Sequence, residues 1–214
     1  MGMHPFRIIS IILIIVTFLI GIALYPSLPD EIPTHWNTEG EVDGTMPVLL
    51  GLFLLPAMMA GISALLIIMP RFDPKYARYE EFQGSYDGVV LLLNLFLFIL
   101  FIITILWSVG IEVPMNQVMS LMFALLMAGI AFFIRNVKQN WFGGIRTPWT
   151  MESEEVWDET HKRGFRVFLV IAVFCLFGVI IPEYAYLFIL LPVIIGSMYL
   201  VIYSYLLWKK EKQA

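Results

Sequence analysis

Residues 89–109, VVLLLNLFLFILFIITILWSV, run for 21 positions without a single charge. Wound as a helix, such a run is ~31 Å long, enough to cross a bilayer core of ~30 Å. Five further apolar runs share the chain with it, at 8–25, 48–69, 118–134, 167–181 and 184–208. At 60% hydrophobic and 14% charged residues, the 214-residue composition excludes a soluble globular domain. It predicts an all-α integral membrane protein with six transmembrane helices, since a helix satisfies its own backbone within lipid. The run at 167–181 is short for a span, so the sequence expects Arg166 to snorkel or the bilayer to thin there. The first run lacks the small-residue exit of a signal peptide and ends in Tyr25-Pro26, so it reads as a retained span. Asn94, the most polar residue within a span, reads as hydrogen-bonding glue between helices.

The basic residues give the orientation. Arg7 lies in the leader; Arg71, Lys75 and Arg78 in the second connector; six more in residues 135–166; and Lys209, Lys210 and Lys212 in the tail. Those are all 13 Lys and Arg of the chain, and the first, third and fifth connectors have none. By the positive-inside rule both termini and residues 135–166 are cytoplasmic, and residues 27–47 extracytoplasmic. The predicted organisation is a two-span unit, 1–69, with an acidic outer loop, followed by a four-span unit, 70–214.

The longest polar stretch is NWFGGIRTPWTMESEEVWDETHKRG, residues 140–164. Gly143-Gly144 predicts a tight turn. Thr147-Pro148 reads as a helix start, Thr as N-cap and Pro at the first position, with Thr150 a competing cap. Glu152, Glu154 and Glu155 suit the positive end of a helix dipole, Lys162 and Arg163 the negative end, and Gly164 a stop or kink. Trp149, Ser153, Trp157, His161 and Gly164 fall on one face at helical spacing. The plain reading is a short interfacial amphipathic helix with Trp at the headgroups.

The same stretch resembles the signature of the SdpI-like family, bacterial and archaeal membrane proteins named after the sporulation-delaying-protein immunity factor. The residues that carry the resemblance are Asn140, Gly144, Ile145, Arg146, Thr147, Pro148, Trp149, Thr150, Ser153, Glu154, Glu155, Val156, Trp157, Thr160, His161 and Gly164. A second stretch, LPDEIPTHWNTEGEVDG at 28–44, resembles the short domain of unknown function that often precedes that family. The resemblance implies a multi-pass protein of the cell membrane, immune to a secreted peptide toxin. It also implies signalling, by sequestering a small transcriptional repressor at the membrane. A transporter or flippase-like conduit for a small apolar or lipidic molecule is the alternative.

Two groups of candidate partner-binding residues follow. Inside, they are Asn140, Gly144, Arg146, Thr147, Pro148, Trp149, Trp157 and His161. The Arg146 guanidinium suits a carboxylate or phosphate partner. It equally suits a salt bridge to Glu152 or Glu154, or lipid phosphate. Outside, they are His35, Trp36, Asn37 and Asp43, in a loop that has acidic residues and no basic one. That loop is a docking surface for a cationic peptide, or a solvated cap with Trp36 at the membrane surface. Asn37, Gly40 and Asp43-Gly44 read as turns. Neither paired His nor a His-Glu-x-x-His motif occurs, and Cys175 is the single cysteine, so no metal, cofactor or disulfide is expected. No Ser or Cys stands in a nucleophile motif, and no basic tract points to nucleic acid. Within the spans no ionisable residue sits at central depth, which argues against a proton-driven pump. The expectation is a non-enzymatic protein whose partners are the bilayer, a toxin and a repressor.

Overall fold

The structure, a computed structural model, describes residues 3–213. Its elements are α1 (Pro5–Leu24), β1 (Glu31–Trp36), β2 (Val42–Pro47), α2 (Val48–Ile68), α3 (Tyr79–Ser108), α4 (Met115–Ile134), α5 (Pro148–Glu152), α6 (Glu154–Ile180) and α7 (Ala185–Glu211). All but α5 and the two strands are long and apolar enough to cross a membrane, which makes six spans. An even number of spans brings both ends of the described chain to one face, together with residues 135–153.

Local chemistry sets the helix starts. At α1, Pro5 follows His4, whose Nδ1 accepts from the Phe6 N–H at 3.3 Å. At α6, the Ser153 hydroxyl accepts from the Val156 N–H at 3.2 Å, and Glu154 and Glu155 occupy the first turn. α6 then runs unbroken through Gly164. The fifth span is therefore not short: its helix has 27 residues, and the polar stretch from 154 onward is its cytoplasmic end. Only the five residues of α5 stand apart where an interfacial helix was expected. Gly164 does not stop the helix; it makes room for Ile145, whose Cδ1 would lie 2.7 Å from any Cβ there. α3 likewise begins ten residues before its apolar run, with a non-helical Phe82 bending it near the start.

α4 and α6 pack tightly. Small side chains at Ala124 and Ala172 admit close approach, and Met127, Ile171 and Cys175 fill the seam. Asn94 Nδ2 donates to Ser63 Oγ at 2.7 Å, tying α3 to α2 as the sequence suggested. Arg7, at the cytoplasmic start of α1, holds the buried Asp87 of α3 through Nε and Nη2 at 3.0 and 2.7 Å.

The outer loop is not wholly irregular. β1 and β2 form an antiparallel hairpin with register irregularities around His35, and Asp43-Gly44 lies within β2 rather than in a turn. Asn37 and Gly40 do form the turn: Asn37 Oδ1 accepts from the N–H groups of Glu39 and Glu41 at 3.0 and 2.9 Å, and its carbonyl accepts from the Gly40 N–H at 3.0 Å. Ile32 is wholly buried under the hairpin against Leu52, Phe101 and Ile105, so the hairpin is seated on the bundle.

Candidate functional site

On the cytoplasmic face the signature residues form a hydrogen-bonded knot. Asn140 has no exposed area. Its Oδ1 accepts from Phe142 N–H (2.9 Å) and Gly143 N–H (2.7 Å), and its Nδ2 donates to the Lys138 and Gly143 carbonyls at 2.8 and 2.9 Å. The Tyr79 hydroxyl, on α3, lies 3.0 Å from Asn140 Oδ1 and 2.9 Å from Asp73 Oδ2. Asp73 also accepts the Trp141 N–H at 2.8 Å and the Lys75 N–H at 2.7 Å. Buried Gln139 donates to the Thr150 and Met151 carbonyls at 2.7 and 3.0 Å and accepts from Lys75 Nζ. One side-chain network thus joins the second connector, the signature loop and α5.

Trp157 and His161 form the floor of that loop. Their rings stack at 4.1 Å, and Trp157 Nε1 donates to the Val137 carbonyl at 2.8 Å. His161 Nδ1 lies 2.8 Å from the Trp157 carbonyl, and Nε2 accepts the Ile145 N–H at 3.0 Å. Only the neutral ring with its proton on Nδ1 satisfies both contacts. Gly144 passes over this pair with φ +109°, and a Cβ there would lie 2.5 Å from His161 Nε2. Thr147 caps α5 in a reciprocal box with Thr150 and also lies 3.0 Å from Ser204 Oγ on α7. Glu154 is bidentate with Arg78 at 2.7 and 3.1 Å. Glu152 accepts from Trp208 Nε1 at 2.8 Å and pairs with Lys212 at 2.8 Å, which holds its carboxyl below the ordinary range.

Four of the eight cytoplasmic candidates therefore face inward. Trp157 and His161 are buried, so neither lies at the headgroups nor offers area to a partner. Asn140 and Thr147 are buried too. Arg146 and Pro148 are exposed, as is neighbouring Trp141, while Trp149 is half-buried against the Tyr205 ring at 5.1 Å. Arg146 pairs with neither Glu152 nor Glu154, since both carboxylates are engaged elsewhere; its Nη1 donates to the Trp141 carbonyl. Asp73, Tyr79 and Gln139 were not singled out from the sequence. The Asp-Pro-Lys run at 73–75 carries a turn signal, but nothing local points to their distant partners.

On the outer face the hairpin tip docks on the bundle. Asn116 Nδ2 donates to the Thr38 carbonyl at 2.9 Å and the Pro182 carbonyl at 3.2 Å. Between tip and bundle lies an open pocket of about 860 Å³, rimmed by Glu39, Glu41 and Glu112 with Trp107 and Gln117. Trp36 packs edge-on against Trp107 at 6.1 Å, at the outer end of α3. Exposed His35 bonds Asp43 instead of facing the pocket, and Asn37 shapes the turn. Among the described residues no cluster of His, Cys, Asp and Glu has a metal-holding arrangement.

Two stretches of the chain match known families, one holding the loop half of the knot and the other the hairpin that forms one wall of the pocket. Residues 136–204 match the SdpI/YfhL protein family, and residues 12–60 match a domain of unknown function, DUF1648. Immunity protein SdpI of Bacillus subtilis (strain 168) is 28% identical to it over 213 residues, covering 95% of this chain and 96% of the relative. No solved structure matches. The SdpI/YfhL match runs from Asn136, next to the knot's Val137, through α6 to Ser204, the α7 residue beside Thr147. The DUF1648 match contains the whole hairpin and parts of the helices on either side.

Proposed function

We propose that this chain is a membrane immunity protein, which protects its cell from a secreted peptide toxin and reports the toxin by holding a small transcriptional repressor at its cytoplasmic face. The observation that carries the reading is the outer pocket. Three carboxylates rim it, and the outer connectors contain no Lys or Arg, so a cationic peptide is its electrostatic complement. The likeness to Immunity protein SdpI along nearly the whole chain supports the same role.

On the other face, the knot holds Arg146, Pro148 and Trp141 on a rigid frame. Arg146 has no hydrogen bond among the described residues beyond that to the Trp141 carbonyl, which leaves guanidinium donors for a carboxylate on a repressor. Trp157 and His161 belong to the frame and not to the contact surface.

The test is to express the chain in Bacillus subtilis lacking its own Immunity protein SdpI, under toxin challenge, and to score survival and a repressor-controlled reporter separately. Survival should be restored by the wild type and lost with Glu39→Gln, Glu41→Gln and Glu112→Gln combined. Arg146→Lys should spare survival and membrane level but lose the reporter response. Survival unchanged by the triple substitution would remove the pocket from the mechanism. No protection by the wild type would overturn the immunity reading for this toxin.

A further inference from the structure

On the membrane-facing side, α6 and α7 part to leave an open apolar groove of about 780 Å³. Its floor depends on Gly196: a Cβ there would stand 2.8 Å from Ile171 Cδ1 and 2.9 Å from Val167 Cγ1. Pro192, inside α7, lines it as well and cannot donate to the carbonyl one turn back, which loosens the helix at this level.

Apolar walls are ordinary on a membrane helix; the end of this groove is not. Arg163 and Arg166, three apart on α6, stand at its cytoplasmic mouth. The Arg163 guanidinium rests over the Tyr203 ring at 4.9 Å. Arg166 is exposed and makes no hydrogen bond or ion pair among the described residues. The carboxylate within reach of this end, Glu159, is held by Lys162 at 2.6 Å. The mouth is therefore cationic, with Arg166 unpaired among the described residues. Between Arg163 and Phe174, both of which line the groove, α6 rises roughly 16 Å. Along α7 the lining continues from Tyr199 to the N-cap, Tyr184, so the groove runs past the middle of a ~30 Å hydrocarbon core and has room for a whole acyl chain.

We propose that this groove binds a single anionic phospholipid of the cytoplasmic leaflet. Its phosphate sits on Arg163 and Arg166, and one acyl chain lies along the seam between α6 and α7. The charge selects the headgroup, and the length selects a lipid chain. A neutral lipid would satisfy the walls and leave both arginines without an anion.

Native mass spectrometry of the full chain in mild detergent, with equal amounts of phosphatidylglycerol and phosphatidylcholine of identical acyl chains, tests this. Wild type should retain phosphatidylglycerol roughly tenfold more than phosphatidylcholine. Arg163→Gln with Arg166→Gln should abolish the preference. Leu191→Trp, which fills the groove and keeps both charges, should release both lipids. Arg166→Gln alone touches no protein contact, so it folds even where the double variant does not, and it should lower the preference about threefold. Equal retention of the two lipids by wild type would overturn the proposal, as would a preference that survives the loss of both arginines. A dimer that Leu191→Trp dissociates would also overturn it, by placing a second copy in the groove.

Discussion

Trp157→Ala separates a frame residue from a contact residue. A tryptophan that meets a partner from the surface can be truncated with little effect on the fold. Trp157 has no exposed area, sits in a cluster with Tyr79, Phe82, Tyr86 and Val137, and stacks on His161 at 4.1 Å. Truncating a buried Trp to Ala costs about 3–5 kcal/mol through lost burial and the cavity left behind. Losing the Nε1 bond leaves the Val137 carbonyl unpaired, at a further cost of about 1 kcal/mol. The ring also supports His161, whose Nε2 receives the Ile145 N–H, so the signature loop should loosen along with the helix. Scaled as for domains of this size, the loss should lower the apparent melting temperature by on the order of 10 °C. Trp157→Phe keeps most of the buried ring and loses the donor, so its cost should be about 1–2 kcal/mol. The assay is thermal challenge of detergent-solubilised protein followed by size-exclusion chromatography. Protease cleavage within residues 135–153 reports the loop separately. A Trp157→Ala protein that melts within about 2 °C of wild type, with the loop still protected, would refute the frame role.

Gly144→Ala should destabilise the same loop, because φ +109° costs a non-glycine residue about 1–2 kcal/mol and the new Cβ meets His161 Nε2 at 2.5 Å; increased proteolysis at residues 135–153 is the readout. The Arg7–Asp87 pair should be asymmetric: Arg7→Gln strands a buried carboxylate and should cost about 3–5 kcal/mol, whereas Asp87→Asn frees an arginine that is partly exposed and reaches water. The double variant should recover part of the loss in a thermal double-mutant cycle, and strictly additive effects would show that the two groups do not interact. For the topology, a cysteine at Thr38 on a Cys175→Ser background should react with a membrane-impermeant maleimide in intact cells; labelling only after lysis would invert the assigned orientation.

The number of spans, the Thr147 cap and the Asn37 turn were legible in the sequence because each is decided within a few neighbouring residues. Twenty apolar positions suffice for a crossing, and the distribution of Lys and Arg suffices for an orientation. Thr147-Pro148 and Asn37 carry their own cap and turn chemistry. The glue role of Asn94 was legible too, since a lone amide in lipid seeks a partner, although the identity of Ser63 was not. The hairpin was hidden because its strands are irregular in register and Pro33 interrupts the first of them.

Which way the aromatic residues face was decided only by the tertiary structure. An amphipathic face on residues 149–164 is equally consistent with headgroups, a partner or the protein interior, because periodicity specifies a face and not what covers it. Here the loop at 137–145 folds back over α6 and covers Trp157 and His161, held by Asp73 and Tyr79, which lie 61 to 68 residues before their partners in the loop. Contacts across such separations leave no local pattern, since the side chains that make them are ordinary until the helices pack. So the sequence by itself determined the membrane, the number of spans, their direction and the location of the signature. The packing of α3 and the loop onto α6 determined that half of that signature is an internal frame, with Gly144, Arg146, Pro148, Glu154 and Glu155 left outside.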